Sequence, residues 1–114
     1  LRSLAGWVAA ERREMLARRR ALEHGFAAGV GGWRLLSCGA YFAYVAHPFP
    51  AESDAVAKAL VDAQSMLTLP GTMFAPRRSE GGDGLAERTL RIAFANADEA
   101  GIGEMLARLR AFSM

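Results

Sequence analysis

The chain has 114 residues, a formal net charge of +2, 52% hydrophobic and 23% charged residues. That is one domain's length at roughly 100–200 residues per domain, with enough apolar content for a core of its own, so global disorder is excluded. No apolar run reaches the roughly 18 residues of a membrane-spanning helix, and the one cysteine, Cys38, excludes an internal disulfide and fits a reducing compartment.

Thirteen of the fourteen basic residues are arginine, and Lys58 is the only lysine. With abundant alanine, this reads as the codon bias of a GC-rich genome, which lowers the weight of any arginine cluster. No basic segment leads into an apolar stretch and a small-residue cleavage site, so no signal peptide is visible. A helical pattern already runs at Leu1, which raises the expectation of a longer parent chain.

Leu4 to Phe26 is expected to be helical. Leu4, Val8, Met15, Leu22 and Phe26 recur at helical spacing. Gly29, Gly31 and Gly32 end it. At 1.5 Å per residue it spans about 33 Å, too long for a small domain, so Leu4, Trp7 and Val8 are expected to rest on a partner. Arg34 to His47 reads as one extended strand. Tyr41, Ala43 and Val45 lie on one face and Phe42, Tyr44 and Ala46 on the other. Both faces are apolar, which predicts cover on both sides, and Pro48 and Pro50 stop the strand.

Glu52 to Gln64 is a second helix with a stripe of Val56, Ala59, Leu60 and Ala63. Met66 to Leu69 is a short strand ending at the turn pair Pro70-Gly71. The polar, glycine-rich stretch from Arg77 to Gly84 is expected to be the least ordered. Glu87 to Ala95 is a third strand. Asp98 to Phe112 is a last helix, with Asn96 and Glu99 resembling a capping box. The order α-β-α-β-β-α predicts an α+β fold. A small, mostly antiparallel sheet of three to four strands carries helices on one face.

The usual catalytic patterns are missing. His24, His47 and Cys38 lack metal-ligand spacing, and neither a nucleophile elbow nor a phosphate loop occurs. A Cys38–His47 nucleophile pair is disfavoured against a small buried cysteine. Arg12, Arg13, Arg18, Arg19 and Arg20 could contact phosphates. The favoured reading is a solvated helix face balanced by Glu11, Glu14 and Glu23.

Arg91 stands out. In Thr89-Leu90-Arg91-Ile92-Ala93-Phe94-Ala95, Leu90, Ile92 and Phe94 share an apolar face. Arg91 shares the other face with two alanines that leave room around its guanidinium. Such a fork suits a carboxylate's two oxygens. The residues alone leave open a plain ion pair with an acid such as Glu87.

Three stretches now align in order: Gly39-Ala40-Tyr41-Phe42, Leu69-Pro70-Gly71-Thr72-Met73-Phe74, and Leu90-Arg91-Ile92-Ala93-Phe94-Ala95 before a final amphipathic helix. Together they resemble the C-terminal small domain of class I/II aminotransferases, the fold type I, aspartate aminotransferase superfamily of pyridoxal-phosphate enzymes. The resemblance covers essentially residues 1–114, with the first helix similar to the one joining the large and small domains. It implies that Arg91 binds the substrate α-carboxylate. It also implies that the cofactor's lysine, its pyridinium-paired aspartate and its phosphate-binding groups lie upstream in a large domain.

The whole enzyme would move an amino group between an amino acid and a 2-oxo acid, as a bacterial cytoplasmic homodimer with neither membrane nor nucleic-acid partner. These 114 residues alone would be inactive and would not bind pyridoxal phosphate. Pro70-Gly71 to Phe74 would lie at the domain seam and the Arg77–Gly84 loop at the entrance. The competing expectation is an autonomous α+β binding module that uses its Arg-rich first helix on nucleic acid or another anionic ligand.

Overall fold

The computed structural model describes residues 3–39, 41–94 and 97–114. Ala40, Ala95 and Asn96, which figured in the sequence reading, lie outside them. The fold is α+β, as expected, with a four-stranded sheet in the order β1-β2-β4-β3 and every neighbouring pair antiparallel. The strands are β1 (Arg34–Cys38), β2 (Phe42–Ala46), β3 (Leu69–Pro70) and β4 (Thr89–Ala93). The helices are α1 (Leu4–Ala28), α2 (Ser53–Gln64), the single turn α3 (Leu85–Arg88) and α4 (Glu99–Ala111).

The core forms where the sheet's apolar face meets the long helices. Ala43 and Val45 of β2 and Leu90 and Ile92 of β4 point into it. Leu22 of α1, Val56 and Leu60 of α2, and Ile102, Leu106 and Leu109 of α4 close over them. All ten are 4% exposed or less, so each side chain yields close to its full burial energy, about 1.5–3 kcal/mol for the larger ones.

The order follows the expected one with two refinements. Arg34–His47 is a hairpin of two strands, because the chain turns between Cys38 and Phe42, with the Gly39 amide donating to the Phe42 carbonyl. Glu87 and Arg88, expected in the third strand, close the α3 turn instead. The expected strand from Met66 shrinks to Leu69–Pro70 for a local reason. Ser65 ends α2 in the left-handed conformation (φ 55°), and the Met66 amide turns back to the Leu60 carbonyl. Met66 is thereby committed to the core and not to a ladder.

Cover on both strand faces is also corrected. Ala43 and Val45 are buried, whereas Phe42, Tyr44 and Ala46 on the opposite face are only half-buried, because no long helix packs there. At α4 the cap is Asp98, whose Oδ1 accepts the Gly101 amide at 2.8 Å.

The 77–84 segment is not free. The Arg77 guanidinium pairs with Glu52 and Asp54 at the start of α2. The Arg78 amide donates to Glu87 at 2.9 Å, and Asp83 Oδ1 accepts the Leu85 amide at 2.9 Å. These local bonds replace the apolar anchorage that its composition lacks.

α1 overreaches, as its length demanded. Leu22 is its only buried residue, and its contacts are with α4 and β1. Leu4 and Trp7 are 79% and 54% exposed. Among the described residues no helix is long and apolar enough to cross a membrane.

Between β3 and α3, Gly71 begins a short 3-10 turn (Gly71–Met73) pressed against the backbone of its neighbours. A methyl at Gly71 would sit 2.9 Å from the Thr89 carbonyl oxygen and closer still to that of Ala86. Backbone cannot move aside cheaply, so Gly71→Ala is expected to destabilise the chain by about 1–3 kcal/mol. Urea unfolding followed by circular dichroism measures it, and a variant as stable as the parent chain contradicts the close-approach account.

Candidate carboxylate site on the open sheet face

β4 holds the residue that the sequence singled out. Alternation along the strand sends Leu90 and Ile92 into the core and Thr89, Arg91 and Ala93 to the other face. Arg91 lies in register with Tyr44 on β2 and with Leu69 on β3, so it stands in the middle of the sheet with a strand on each side.

The guanidinium is framed by aromatic rings. Its carbon lies 4.3 Å from the Phe42 ring centroid and 5.7 Å from that of Phe74. Tyr44 and Phe74 meet edge to face at 5.7 Å. Phe74 gets there because the turn after β3 folds back over the sheet, its amide donating to the Gly71 carbonyl.

Arg91 makes no hydrogen bond or ion pair among the described residues, and its Nε is buried without a partner. Glu87, the acid named as an alternative partner, is used elsewhere: its carboxylate accepts the Arg78 amide and its carbonyl faces His47. The ring faces offer the cation about 0.5–2 kcal/mol each and no lone pair. A planar cation in an apolar frame, with donors unspent, has the fork geometry that matches a carboxylate's two oxygens. Ala93 beside it is exposed, so the approach is open on that side, and Ala95 lies outside the described residues.

The other candidate residues are not brought to this place. Cys38 and His47 lie at opposite ends of the β1–β2 hairpin, as the register of Cys38 with Ala43 and Arg34 with Ala46 requires. The Cys38 thiol donates to the Gly39 carbonyl, and burial pushes its pKa up, which Arg19 only partly opposes. A raised thiol is a poor nucleophile. Among the described residues no three His, Cys, Asp or Glu side chains gather as metal ligands.

Lys58 stands on the exposed side of α2, and among the described residues no hydrogen bond or ion pair joins it to Arg91. On α1, Arg18 and Arg19 pair along the helix with Glu14 and Glu23, at 3.7 and 2.8 Å.

Sequence reasoning missed the aromatic frame as a unit, and it weighed His47 only as a ligand or nucleophile partner, not as a clamp. That ring is buried against Trp33 and Phe49. Nδ1 accepts the Phe49 amide at 3.3 Å, so the proton sits on Nε2, which donates to the Glu87 carbonyl at 2.9 Å. The His47 amide also donates to the Arg88 carbonyl, and Ser53 Oγ to that of Ala86. Together they clamp α3, the turn that delivers β4. The only signal for this in the sequence is a histidine placed between a strand and a proline.

No protein-family model matches the chain, and no curated protein is found to be similar to it.

Burial, helped by the charge of Arg88, holds the His47 pKa below its ordinary 6.5. The unfolded chain therefore binds the proton more readily than the folded one. This contribution to stability is complete above about pH 6.5 and is lost as the pH falls toward the folded value. Urea midpoints measured between pH 5 and 7.5 are expected to drop on the acid side, and His47→Gln to flatten that drop. An unchanged slope in the variant assigns the acid sensitivity to other groups.

Proposed function

We propose that residues 1–114 are the small domain of a fold type I, pyridoxal-phosphate-dependent aminotransferase, and that Arg91 grips the α-carboxylate of its amino-acid and 2-oxo-acid substrates. The observation that carries this reading is the Arg91 guanidinium itself: central in the sheet, flanked by Phe42 and Phe74, and without an acid. The Leu90-Arg91-Ile92 context and the Pro70-Gly71 turn that swings Phe74 onto the same face agree with the resemblance in sequence.

In this reading Arg91 orients the substrate, since two fixed N–H···O bonds set the direction of the Cα bonds. The cofactor supplies the electron sink and is held by residues outside these 114. The exposed Leu4, Trp7, Met73 and Phe74 are the surfaces that a large domain of the same chain would cover. The whole enzyme is proposed to be a cytoplasmic homodimer. The alternative, a polyanion-binding α1, is weaker, because Arg18 and Arg19 already answer to glutamates on the same helix.

The test is kinetic. The enzyme is expressed from its whole open reading frame, the cofactor's absorbance is checked, and amino transfer is assayed. Arg91→Lys keeps the charge and loses the fork, so kcat/KM is expected to fall at least tenfold, since a charge-assisted bond is worth about 1.5–3 kcal/mol. The melting temperature of the 114-residue chain is expected to stay within a degree or two, because Arg91 faces away from the core. The reverse pattern, wild-type kinetics with a shifted melting temperature, makes Arg91 structural and withdraws the assignment.

Lys58 supplies a second check. Borohydride reduction of the 114-residue chain with pyridoxal phosphate, followed by peptide mapping, is expected to show no stoichiometric label on Lys58. Full labelling there overturns the assignment of the cofactor site to another domain.

A further inference from the structure

Beside the candidate carboxylate site lies a hollow of about 170 Å³. Leu36 and Ser37 of β1, Tyr44 of β2, Phe74, Leu85 of α3 and Thr89 of β4 contribute to its wall, and no charged side chain lines it. Two of these residues belong also to the surroundings of Arg91. Tyr44 is its register partner, and the Phe74 ring centroid is 5.7 Å from its guanidinium carbon. Thr89 stands two residues before Arg91 on the same face of β4, and its hydroxyl is spent on the Leu85 carbonyl at 2.6 Å. The hollow therefore offers apolar surface and no cation.

Its size has a physical meaning. A cavity of about 150 Å³ walled by apolar side chains accepts a benzene ring. Leu36, Leu85 and Phe74, among the exposed large hydrophobics of the chain, gather around this opening. A cation with unspent donors thus shares Tyr44 and Phe74 with a ring-sized apolar hollow.

Resting on the carboxylate reading of Arg91, we propose that the hollow receives the ligand's side group. The substrate class is a monocarboxylate whose side chain is aromatic or bulky and aliphatic, and a second carboxylate is rejected. The carboxylate sits on Arg91, and the side group passes Tyr44 and Phe74 into the hollow. A dicarboxylate would have to place its second charge against an uncharged wall, at the desolvation cost of an unpaired ion. A tenfold preference requires only about 55 Å² of apolar surface to leave water, less than a phenyl ring exposes.

The experiment is a titration of the 114-residue chain by NMR with five probes: propionate, 3-phenylpropionate, 4-methylpentanoate, succinate and 3-phenylpropionamide. The expected result is that 3-phenylpropionate and 4-methylpentanoate bind at least tenfold tighter than propionate, with shifts at Tyr44, Phe74, Leu85 and Thr89. Succinate gains nothing over propionate. Ser37→Trp, and independently Ala75→Leu at the wall position after Phe74, fill the hollow and abolish the gain while propionate binding stays. Arg91→Met weakens the acids and leaves the amide unchanged.

If all the acids bind equally and Arg91→Met weakens them, the apolar subsite falls and the carboxylate site stands. If acid and amide bind equally and Arg91→Met changes neither, the carboxylate reading falls and the proposal with it. Absence of binding by every probe overturns both.

Discussion

The open face depends on the position of β4. A strand paired on both sides has no freedom to roll, so its two faces are locked to opposite environments. Leu90 and Ile92 are drawn into the core by their burial, and the geometry of the pleat then commits Arg91 to the other side. The hydrophobic effect thereby aims a charge that it does not itself stabilise. A shift of one residue in register would bury the guanidinium and expose the leucine, so the fold and the site share one constraint.

The cation's surroundings are arranged around a cost. A half-buried guanidinium loses part of its hydration, and ring faces return only a fraction of it. An acid would return more, and the carboxylates of Glu87, Glu52 and Asp54 are engaged in holding a loop, Glu87 on the Arg78 amide and the other two on Arg77. The loop pairs thus order a glycine-rich segment.

Much of this was legible in the residues. Strand alternation located the core face and placed Arg91 opposite to it, because a period of two needs only a few residues to declare itself. The end of α1 was marked by its glycines, and its overreach by its length alone. The hairpin was not legible, since Arg34–His47 is apolar throughout and Gly39 alone signals the reversal. The cap at Asp98 was not read, because the capping-box pattern pointed to Asn96, which lies outside the described residues. The aromatic frame and the hollow were invisible for a deeper reason. They assemble from β1, β2, β4, α3 and the turn after β3, and no local pattern records which side chains a topology will bring together. His47 belongs with them, since its ring bond to the Glu87 carbonyl spans forty residues of chain.

The crossing of α1 over α4 also has a mechanical meaning. Gly25 lets the Leu106 side chain press into α1, where any added β-carbon would collide with it. From Gly25 to Leu4 the helix runs 21 residues, about 32 Å at 1.5 Å per residue. α1 borders α4 again at Glu14, Ala17 and Arg18, which line a hollow with Asp98, Glu99 and Ala100. A side chain added at Gly25 would force the two helices apart, and a tilt of about 5° over that length carries the far end through about 3 Å. The direction in which Leu4 and Trp7 are presented therefore depends on the fit of one glycine against one leucine.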